Sequence, residues 1–280
     1  MSDNYNDDKK EKRKTLLIRV RSAALLTLIA FAAIIPGGLV LLFVNSAVAC
    51  LGMYELQKTV NVQKTLLQYI SSLACGCLYL AAYLQKQEWM VPLFMIYLLI
   101  LFACMVVCYP KYNVTQVMVT FASLIYVGLG MSYIYLTRTE VTNGAFIVWL
   151  IFICSWISDS GAYLTGIAIG KHKAFPKLSP KKSVEGCIGG VLASIVIGIL
   201  YKLVLDLLGF DLIDYPALIL ICGVGSVFSQ IGDLAASAIK RFCNIKDYSN
   251  LIPGHGGILD RFDSIIFVAP LVYYLGYFLG

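Results

Sequence analysis

Charge is scarce in this sequence of 280 residues, because only 14% of them are charged whereas 59% are hydrophobic. A soluble domain typically carries about 25% charged residues, so the composition excludes an ordinary water-soluble globular protein. The mean hydropathy of +0.80 indicates instead a protein that crosses a membrane several times. The short segments of alternating hydrophobicity typical of a membrane barrel are also missing. The predicted class is therefore an all-α polytopic membrane protein.

Patterns of a disulfide framework or a zinc site are absent as well. The sequence has nine cysteines, but most lie inside apolar runs, and no CxxC pair is matched by a pair of histidines. Cys75 and Cys77 are two positions apart, a separation that does not place them on one face of a helix. We expect small buried or lipid-facing cysteines, and neither disulfides nor zinc. The net charge of +6 does not indicate nucleic acid, because the basic residues flank the apolar runs.

Runs of about 20 apolar residues, each able to cross a hydrocarbon core of about 30 Å, recur along the whole chain. They predict nine helices at residues 16–35, 37–57, 66–84, 90–108, 115–136, 144–168, 186–208, 214–240 and 262–279. The first two are separated at Pro36, Gly37 and Gly38, because Pro and Gly together favour a turn. A single kinked helix is the alternative.

Basic residues distinguish these two readings, since Lys and Arg favour the cytoplasmic side. With nine helices and a cytoplasmic N-terminus, 19 of the 22 Lys and Arg residues lie inside, leaving Lys86, Arg138 and Lys202 outside. Merging the first two helices gives 10 inside and 12 outside, and the asymmetry disappears. We therefore predict a disordered cytoplasmic tail at residues 1–15, a single membrane-embedded domain at 16–280 and an external C-terminus.

Ionisable residues inside the predicted helices are concentrated in the second half of the chain. Asp159 lies within the sixth helix, Asp233 within the eighth, and Asp260 and Asp263 open the ninth. Such residues are costly in a membrane, so each indicates a functional site. Glu55, near the inner end of the second helix, is expected simply to reach the interface.

A lysine-rich loop, "GKHKAFPKLSPKKSVEG", follows the sixth helix. Its five lysines suit a nucleotide triphosphate or an anionic lipid head group, although basic inner loops also occur for topology alone. Ser179 or Ser183 is a candidate cap for the next helix, and free N–H groups at a helix start attract phosphate. The lysines are Lys171, Lys173, Lys177, Lys181 and Lys182.

The stretch "SAIKRFCNIKDYSNLIPGHGGILDRFD" at residues 237–263 combines cations, anions and a glycine-rich turn. Its glycines allow a backbone to approach phosphate closely. Asp260 and Asp263 share a helix face, where two neighbouring carboxylates repel each other and a divalent cation such as Mg²⁺ relieves the repulsion. The preference for Asp in a first helical turn is the alternative, but it does not account for Asp233 and Asp159. His255 stays open between a general base, a phosphate donor and a structural hydrogen bond.

Residues 237–263 resemble the signature of the phosphatidate cytidylyltransferase, or CDP-diacylglycerol synthase, family. Phe262 stands where that family has an aliphatic residue or Thr. "SDSGAY" at 158–163 and "SPKKSVEG" at 179–186 are similar to two further elements of the family, so residues 144–280 carry the motifs. The matching signature residues are Ser237, Lys240, Arg241, Lys246, Asp247, Ser249, Ile252, Pro253, His255, Gly256, Gly257, Ile258, Asp260, Arg261 and Asp263.

The resemblance implies transfer of a cytidylyl group from CTP to phosphatidate, giving CDP-diacylglycerol and pyrophosphate for phospholipid synthesis. It implies Mg²⁺, and K⁺ as a second, monovalent cation, with a homodimer as one option for assembly. It also implies catalytic roles for Asp233, Asp260, Asp263 and Lys240, with metal binding by the three aspartates and Asp159. The implied substrate-binding residues are Ser179, Lys181, Lys182, Arg241, Lys246, Arg261, His255, Gly256 and Gly257.

Three other functions are weighed against this one. An ion-coupled transporter also has buried aspartates and broken helices, but it predicts matching features in both halves of the chain. A CTP-dependent lipid kinase or an archaeal-lipid cytidylyltransferase keeps the fold and changes the lipid, and a structural membrane protein tolerates Asp260→Asn. The short soluble tail favours the plasma membrane of a bacterium, with the active site at its cytoplasmic face.

Overall fold

The computed structural model describes residues 24–210, 213–252 and 256–279. Eight helices within these ranges are long and apolar enough to cross a membrane. The prediction of an all-α, multi-pass membrane protein is therefore confirmed. The described part of the chain forms α1 (Ala24–Ile34), α2 (Gly38–Lys58), α3 (Leu66–Tyr83), α4 (Gln87–Val107), α5 (Val114–Glu140), α6 (Gly144–Ile169), α7 (Val184–Leu207), α8 (Tyr215–Phe242) and α9 (Leu259–Leu279).

The chain breaks between α1 and α2, where the sequence predicts a turn. Gly37 and Gly38 adopt positive φ angles of 64° and 51°, a backbone conformation that glycine reaches without steric cost. The Arg138 guanidinium of α5 fixes the break, because its Nε donates a hydrogen bond to the Ile34 carbonyl at 3.2 Å. Two separate helices are therefore confirmed, and the alternative of one kinked helix is wrong. The tail at 1–15 and the start of the first predicted helix lie outside the described residues.

The position of helix α1 is defined by contacts at both of its ends. Its first turns, at Leu26 and Thr27, line a cavity together with Arg261 near the start of α9. Its last residue, Ile34, contacts Arg138 near the end of α5. The described start of α1 therefore lies at the same end of the bundle as the start of α9.

Side-chain caps define the starts of two membrane helices. The Asn113 side chain accepts a hydrogen bond from the Gln116 N–H at 2.8 Å, and the Gln116 side chain accepts one from the Asn113 N–H at 3.1 Å, so α5 begins with a capping box. The Ser183 hydroxyl accepts a hydrogen bond from the Gly186 N–H at 3.1 Å and caps α7. Ser183 is thus confirmed as the cap of α7, and Ser179 as its cap is wrong.

The lysine-rich loop between α6 and α7 forms a small antiparallel hairpin of β1 (Lys173–Phe175) and β2 (Ser179–Ser183). Glu185, in the first turn of α7, holds the entry to this hairpin. Its carboxylate accepts hydrogen bonds from the Lys171 N–H at 3.1 Å and from the His172 N–H at 3.2 Å. The lysines are therefore carried by an ordered element attached to the start of α7.

Two membrane helices contain a π-helical segment, at Leu124–Leu129 in α5 and at Ile153–Ile157 in α6. Each extra residue in the turn shifts the helix register and redirects the side chains that follow. The segment in α6 ends immediately before Ser158 and Asp159. It therefore sets the direction in which that aspartate leaves the helix.

Helix α9 lies in the centre of the bundle, where it packs against α5, α6 and α8. Met53 of α2, Met131 of α5, Leu150 of α6 and Ile266 of α9 are among the buried residues of the core. In contrast, α4 exposes large side chains such as Leu99 over most of its surface, as a lipid-facing helix should. The end of α9 that carries Asp260 and Asp263 is therefore fixed by neighbours from both halves of the chain.

Helices α6 and α7 approach closely because small residues line their contact. A Cβ atom added at Gly189 would lie 2.2 Å from Thr165 Oγ1 and 2.5 Å from Thr165 Cβ. We expect Gly189→Val to lower the free energy of unfolding by about 1–3 kcal/mol, a typical effect of overpacking. Gly76→Val in α3 is the matched control, because no atom lies within 4 Å of an added Cβ there. Equal unfolding temperatures of the two variants in detergent would contradict this packing.

Candidate active site

A polar cavity of about 540 Å³ lies at the end of the bundle where α8 ends and α9 begins. It is enclosed by α6, α7, α8, α9, the lysine hairpin and the connection between α8 and α9. Its polar lining residues are Asp159, Ser179, Lys181, Lys182, Ser183, Gln230, Asp233, Lys240, Asp247, Asp260, Arg261 and Asp263. Four of the residues in this set are the aspartates that the sequence singles out, and they meet here from three different helices.

Two ion pairs organise the cavity. Lys182 Nζ of the hairpin lies 2.5 Å from Asp233 Oδ2 of α8, and Lys240 Nζ lies 2.7 Å from Asp260 Oδ1 of α9. Each pair joins two separate elements, so the positions of the cations depend on the positions of the carboxylates. Partly buried pairs of this kind are screened by salt much less than surface pairs.

Asp260 uses both of its carboxylate oxygens to hold the connection between α8 and α9. Oδ1 binds Lys240, while Oδ2 accepts hydrogen bonds from the N–H groups of Tyr248 and Gly257, both at 2.9 Å. Gly256 has a φ of 85°, and a Cβ there would lie 3.0 Å from Asp260 Oδ2. A glycine is therefore required at this turn for its backbone conformation and for the close approach of the carboxylate.

Tyr248 is buried beside this carboxylate. Its ring lies under the Lys240 ammonium, 5.5 Å from Nζ to the ring centroid, and its hydroxyl donates to the Ala236 carbonyl at 3.3 Å. Burial, followed by the negative charges nearby, raises the pKa of Tyr248 far above its ordinary value. The phenol is therefore neutral at physiological pH and stays a hydrogen-bond donor.

Asp159, Asp233 and Asp263 are further carboxylates of the cavity, in addition to Asp247 of the connection between α8 and α9. These three line the same cavity, and Asp263 is only 6% exposed, so their like charges repel one another. Among the described residues no three acidic, histidine or cysteine side chains are grouped tightly enough to form a complete metal site. Mg²⁺ needs no such preformed cage, because it typically binds through one or two carboxylates together with waters and substrate phosphates. The mutual repulsion and the hard oxygen donors of these three aspartates fit that ion.

A second cavity of about 340 Å³ adjoins the first. It shares four lining residues with the polar cavity, namely Asp159, Asp260, Arg261 and Asp263. Its remaining lining residues are more apolar and come from α1, α6 and α9: Leu26, Thr27, Trp156, Ser160 and Phe262. The acidic residues and Arg261 thus form a boundary between a lysine-rich space and a smaller one that contains three apolar side chains, Leu26, Trp156 and Phe262.

Glu55 of α2 holds the connection between α8 and α9 from outside the two cavities, a role that sequence reasoning missed. The sequence predicts that Glu55 reaches the interface, but its side chain is buried, with 2% exposure. Its carboxylate accepts hydrogen bonds from Ser249, Ile258 and Leu259. The prediction is wrong because the connection between α8 and α9 folds back onto α2 and supplies donors for this carboxylate. The available signal was its place as a lone carboxylate inside an apolar helix of the first half.

Some predicted substrate-binding residues lie outside the lining of the polar cavity. Arg241 and Lys246 are exposed beside it. Gly256 packs against Asp260, and an added Cβ at Gly257 would lie 2.5 Å from Glu55 Oε2. These two glycines therefore adapt the backbone to two carboxylates. His255, with Pro253 and Gly254, lies outside the described residues.

The chain is similar to known proteins over most of its length. Residues 17–279 match the model of the Cytidylyltransferase family. The chain is similar to proteins named phosphatidate cytidylyltransferase: 32% identical over 259 residues in Staphylococcus saprophyticus, covering 91% of this chain and 96% of that protein. The proteins of the same name in Staphylococcus epidermidis and Bacillus subtilis are each 43% identical, over 150 and 151 residues, covering 54% of this chain and 55% of each relative. Because the family model matches nearly the whole length, this chain belongs to the cytidylyltransferase family.

Proposed function

We propose that this protein transfers the cytidylyl group of CTP to phosphatidate and releases pyrophosphate, producing CDP-diacylglycerol for phospholipid synthesis. The observation that carries this proposal is the meeting of two cavities at shared charged residues. One substrate is a water-soluble polyanion and the other is a lipid with an anionic head group. A reaction between them needs two differently lined spaces that touch where the two phosphates meet.

The polar cavity suits the triphosphate of CTP. Lys181 and Lys182 enter it from the hairpin, Lys240 from α8 and Arg261 from α9. Ser179 adds a hydroxyl donor to the same lining. The same cations neutralise charge that develops during phosphoryl transfer.

The second cavity suits the lipid. Leu26 of α1, Trp156 of α6 and Phe262 of α9 supply an apolar lining. Arg261 belongs to both cavities, so its guanidinium can bind the lipid phosphate at the boundary, where arginine makes two parallel hydrogen bonds to such an anion. Acyl chains would extend from this cavity towards the surrounding bilayer.

The chemistry follows from the substrates. An oxygen of the phosphatidate phosphate forms a bond to the α-phosphorus of CTP, and the bond from that phosphorus to the β-phosphate oxygen breaks as pyrophosphate leaves. The nucleophile is already ionised, so no protein base is required. Positioning and charge neutralisation by Lys182, Lys240 and Arg261 then carry most of the catalysis.

Asp233 and Asp263, with Asp159 beside them, would hold Mg²⁺ in this proposal. When bound, the ion neutralises phosphate oxygens and supports the leaving group. Asp260 differs from these three, because Lys240 and two backbone N–H groups occupy its carboxylate. We therefore propose that Asp260 keeps the cavity in shape and supports the metal ligands. K⁺ as a second cation and a homodimer stay predictions from the resemblance.

We place this site at the cytoplasmic face of a bacterial plasma membrane, where CTP is made. Among the described residues, every lysine and arginine except Lys86, Arg138 and Lys202 lies at the end of the bundle that holds the two cavities. Cytoplasmic ends of membrane helices carry such an excess of basic residues. The start of α1 lies at the same end, in agreement with a cytoplasmic N-terminus.

The test is an activity assay on the purified protein in detergent with lipid. We expect radiolabelled CTP and phosphatidate to yield CDP-diacylglycerol and pyrophosphate in equal amounts when Mg²⁺ is present, and no product in excess chelator. The substrate panel should include diacylglycerol and an archaeal ether lipid as alternative acceptors. Robust turnover without divalent cations would contradict the metal assignment, and turnover only with another acceptor would contradict the lipid assignment. CTP uptake into liposomes without conversion would indicate a transporter.

A further inference from the structure

We infer that Glu55 of α2 is a positioning residue for the reaction, acting through the connection between α8 and α9. The inference rests on the proposed function for its kinetic part. The structural basis of the inference is the buried Glu55 carboxylate. Its hydrogen bonds link the amino-terminal half of the chain to the backbone that carries Asp260 and Asp263. None of the sequence motifs in residues 144–280 includes this residue.

The Glu55 carboxylate binds three donors. Oε1 accepts from the Ser249 hydroxyl at 2.5 Å and from the Ile258 N–H at 3.0 Å, and Oε2 accepts from the Leu259 N–H at 2.7 Å. Leu259 is the first residue of α9, so the carboxylate also lies at the positive end of that helix dipole. Glu55 thus caps α9 from a helix that is about 200 residues away in the sequence.

Glu55 and Asp260 together clamp both ends of the connection. Asp260 binds the N–H groups of Tyr248 and Gly257, and Glu55 binds the next residues on each side, Ser249 and Ile258. Each carboxylate therefore joins the segment that leaves α8 to the segment that enters α9. Because Asp260 also binds Lys240, releasing the Glu55 clamp would loosen the cavity wall on the side of α9.

A carboxylate is required at position 55, because only an acceptor satisfies three converging donors. In Glu55→Gln the side-chain amide presents its own N–H groups to at least one of these donors, which leaves a buried backbone N–H unpaired. Gly257 leaves room for this carboxylate, because a Cβ at position 257 would lie only 2.5 Å from Glu55 Oε2. Displacements of about 1 Å at a reacting centre can lower the rate about 100-fold.

The experiment compares Glu55→Gln with Glu140→Gln, a matched control at the opposite end of α9. Glu140 is also a partly buried glutamate, and its carboxylate accepts a hydrogen bond from the Tyr273 hydroxyl at 2.7 Å. For Glu55→Gln we expect a fall in kcat of about 10–100-fold, typical for residues that orient functional groups, with little change in KM for CTP. Glu140→Gln should retain the wild-type kcat. Glu55→Asp, which restores the charge, should recover part of the activity.

Hydrogen–deuterium exchange gives a readout that does not depend on activity. We expect peptides that cover residues 249–260 to exchange faster in Glu55→Gln than in the wild type, and Glu140→Gln to leave them unchanged. Wild-type exchange in this segment, or a wild-type kcat in Glu55→Gln, would overturn the inference while leaving the proposed function intact. A wild-type protein without cytidylyltransferase activity would instead overturn the proposed function, and the exchange data would still test the clamp.

Discussion

Asp263→Asn is expected to lower kcat by about 1,000-fold or more with the fold intact. Removing one electrostatic group that acts on the transition state has effects of about 100–1,000-fold, and loss of a metal ligand adds to them. Asp263 is buried, lines both cavities and feels the negative charges of Asp233 and Asp159. Asparagine keeps the size of the side chain and removes the charge that would hold Mg²⁺.

The stability of this variant distinguishes a functional carboxylate from a structural one. Because the carboxylates of Asp233, Asp159 and Asp263 repel one another, neutralising Asp263 should leave the unfolding temperature unchanged or raise it, as is common at functional sites. Asp206→Asn is the matched control. It removes an aspartate that is paired with Lys202 at 2.8 Å near the other end of the bundle, and it should retain the wild-type kcat. A wild-type kcat in Asp263→Asn would contradict the proposed site.

The membrane helices could be predicted from the sequence because lipid imposes one dominant constraint. Apolar runs must form helices, and the predicted boundaries follow the observed ones closely. Among the boundaries within the described ranges, the largest difference is at the end of α5, predicted at residue 136 and observed at Glu140. The helix continues there because Arg138 finds carbonyl acceptors at the end of α1 and Glu140 finds Tyr273. Local hydropathy does not report contacts between residues that are so distant in the sequence.

Local irregularities of the backbone could not be predicted. The π-helical segments at Leu124–Leu129 and Ile153–Ile157 lie inside uniformly apolar runs, where hydropathy is insensitive to one extra residue per turn. The hairpin of β1 and β2 depends on Glu185, whose carboxylate binds backbone groups at Lys171 and His172. A basic loop that lacks these hydrogen bonds could have the same composition, so the composition of the loop does not predict the hairpin.

The candidate site was predictable where its residues are charged and lie in a membrane helix. Asp159, Asp233, Asp260 and Asp263 meet that criterion, and the structure brings them to one cavity. Their individual partners were not predictable, because whether an aspartate faces a lysine, a backbone N–H or another aspartate depends on packing between distant helices. Glu55 meets the same criterion, yet its role depends on donors at residues 249–259.

Lys182 illustrates how such a pairing prepares a site for its substrate. In this structure the lysine lies 2.5 Å from Asp233, so its ammonium is held in the polar cavity by a carboxylate that would also bind Mg²⁺ in the proposed mechanism. In the proposed mechanism CTP would offer the lysine phosphate oxygens, and Asp233 would help to hold Mg²⁺. Both charges would then exchange one partner for another, which avoids the cost of an unpaired charge in a partly buried cavity.

We therefore expect Lys182→Gln to lower kcat/KM for CTP by about 100-fold or more, the effect of removing one well-placed cation from a phosphoryl-transfer site. Lys173→Gln is the matched control, because Lys173 lies on the same hairpin but is exposed outside the lining of the cavity. That variant should change kcat/KM little, since a charge separated from the substrate by solvent is screened within about 10 Å. Equal losses in both variants would show that the hairpin acts only through its overall positive charge. A specific loss at Lys182, which persists at high salt, would identify a direct contact with the nucleotide.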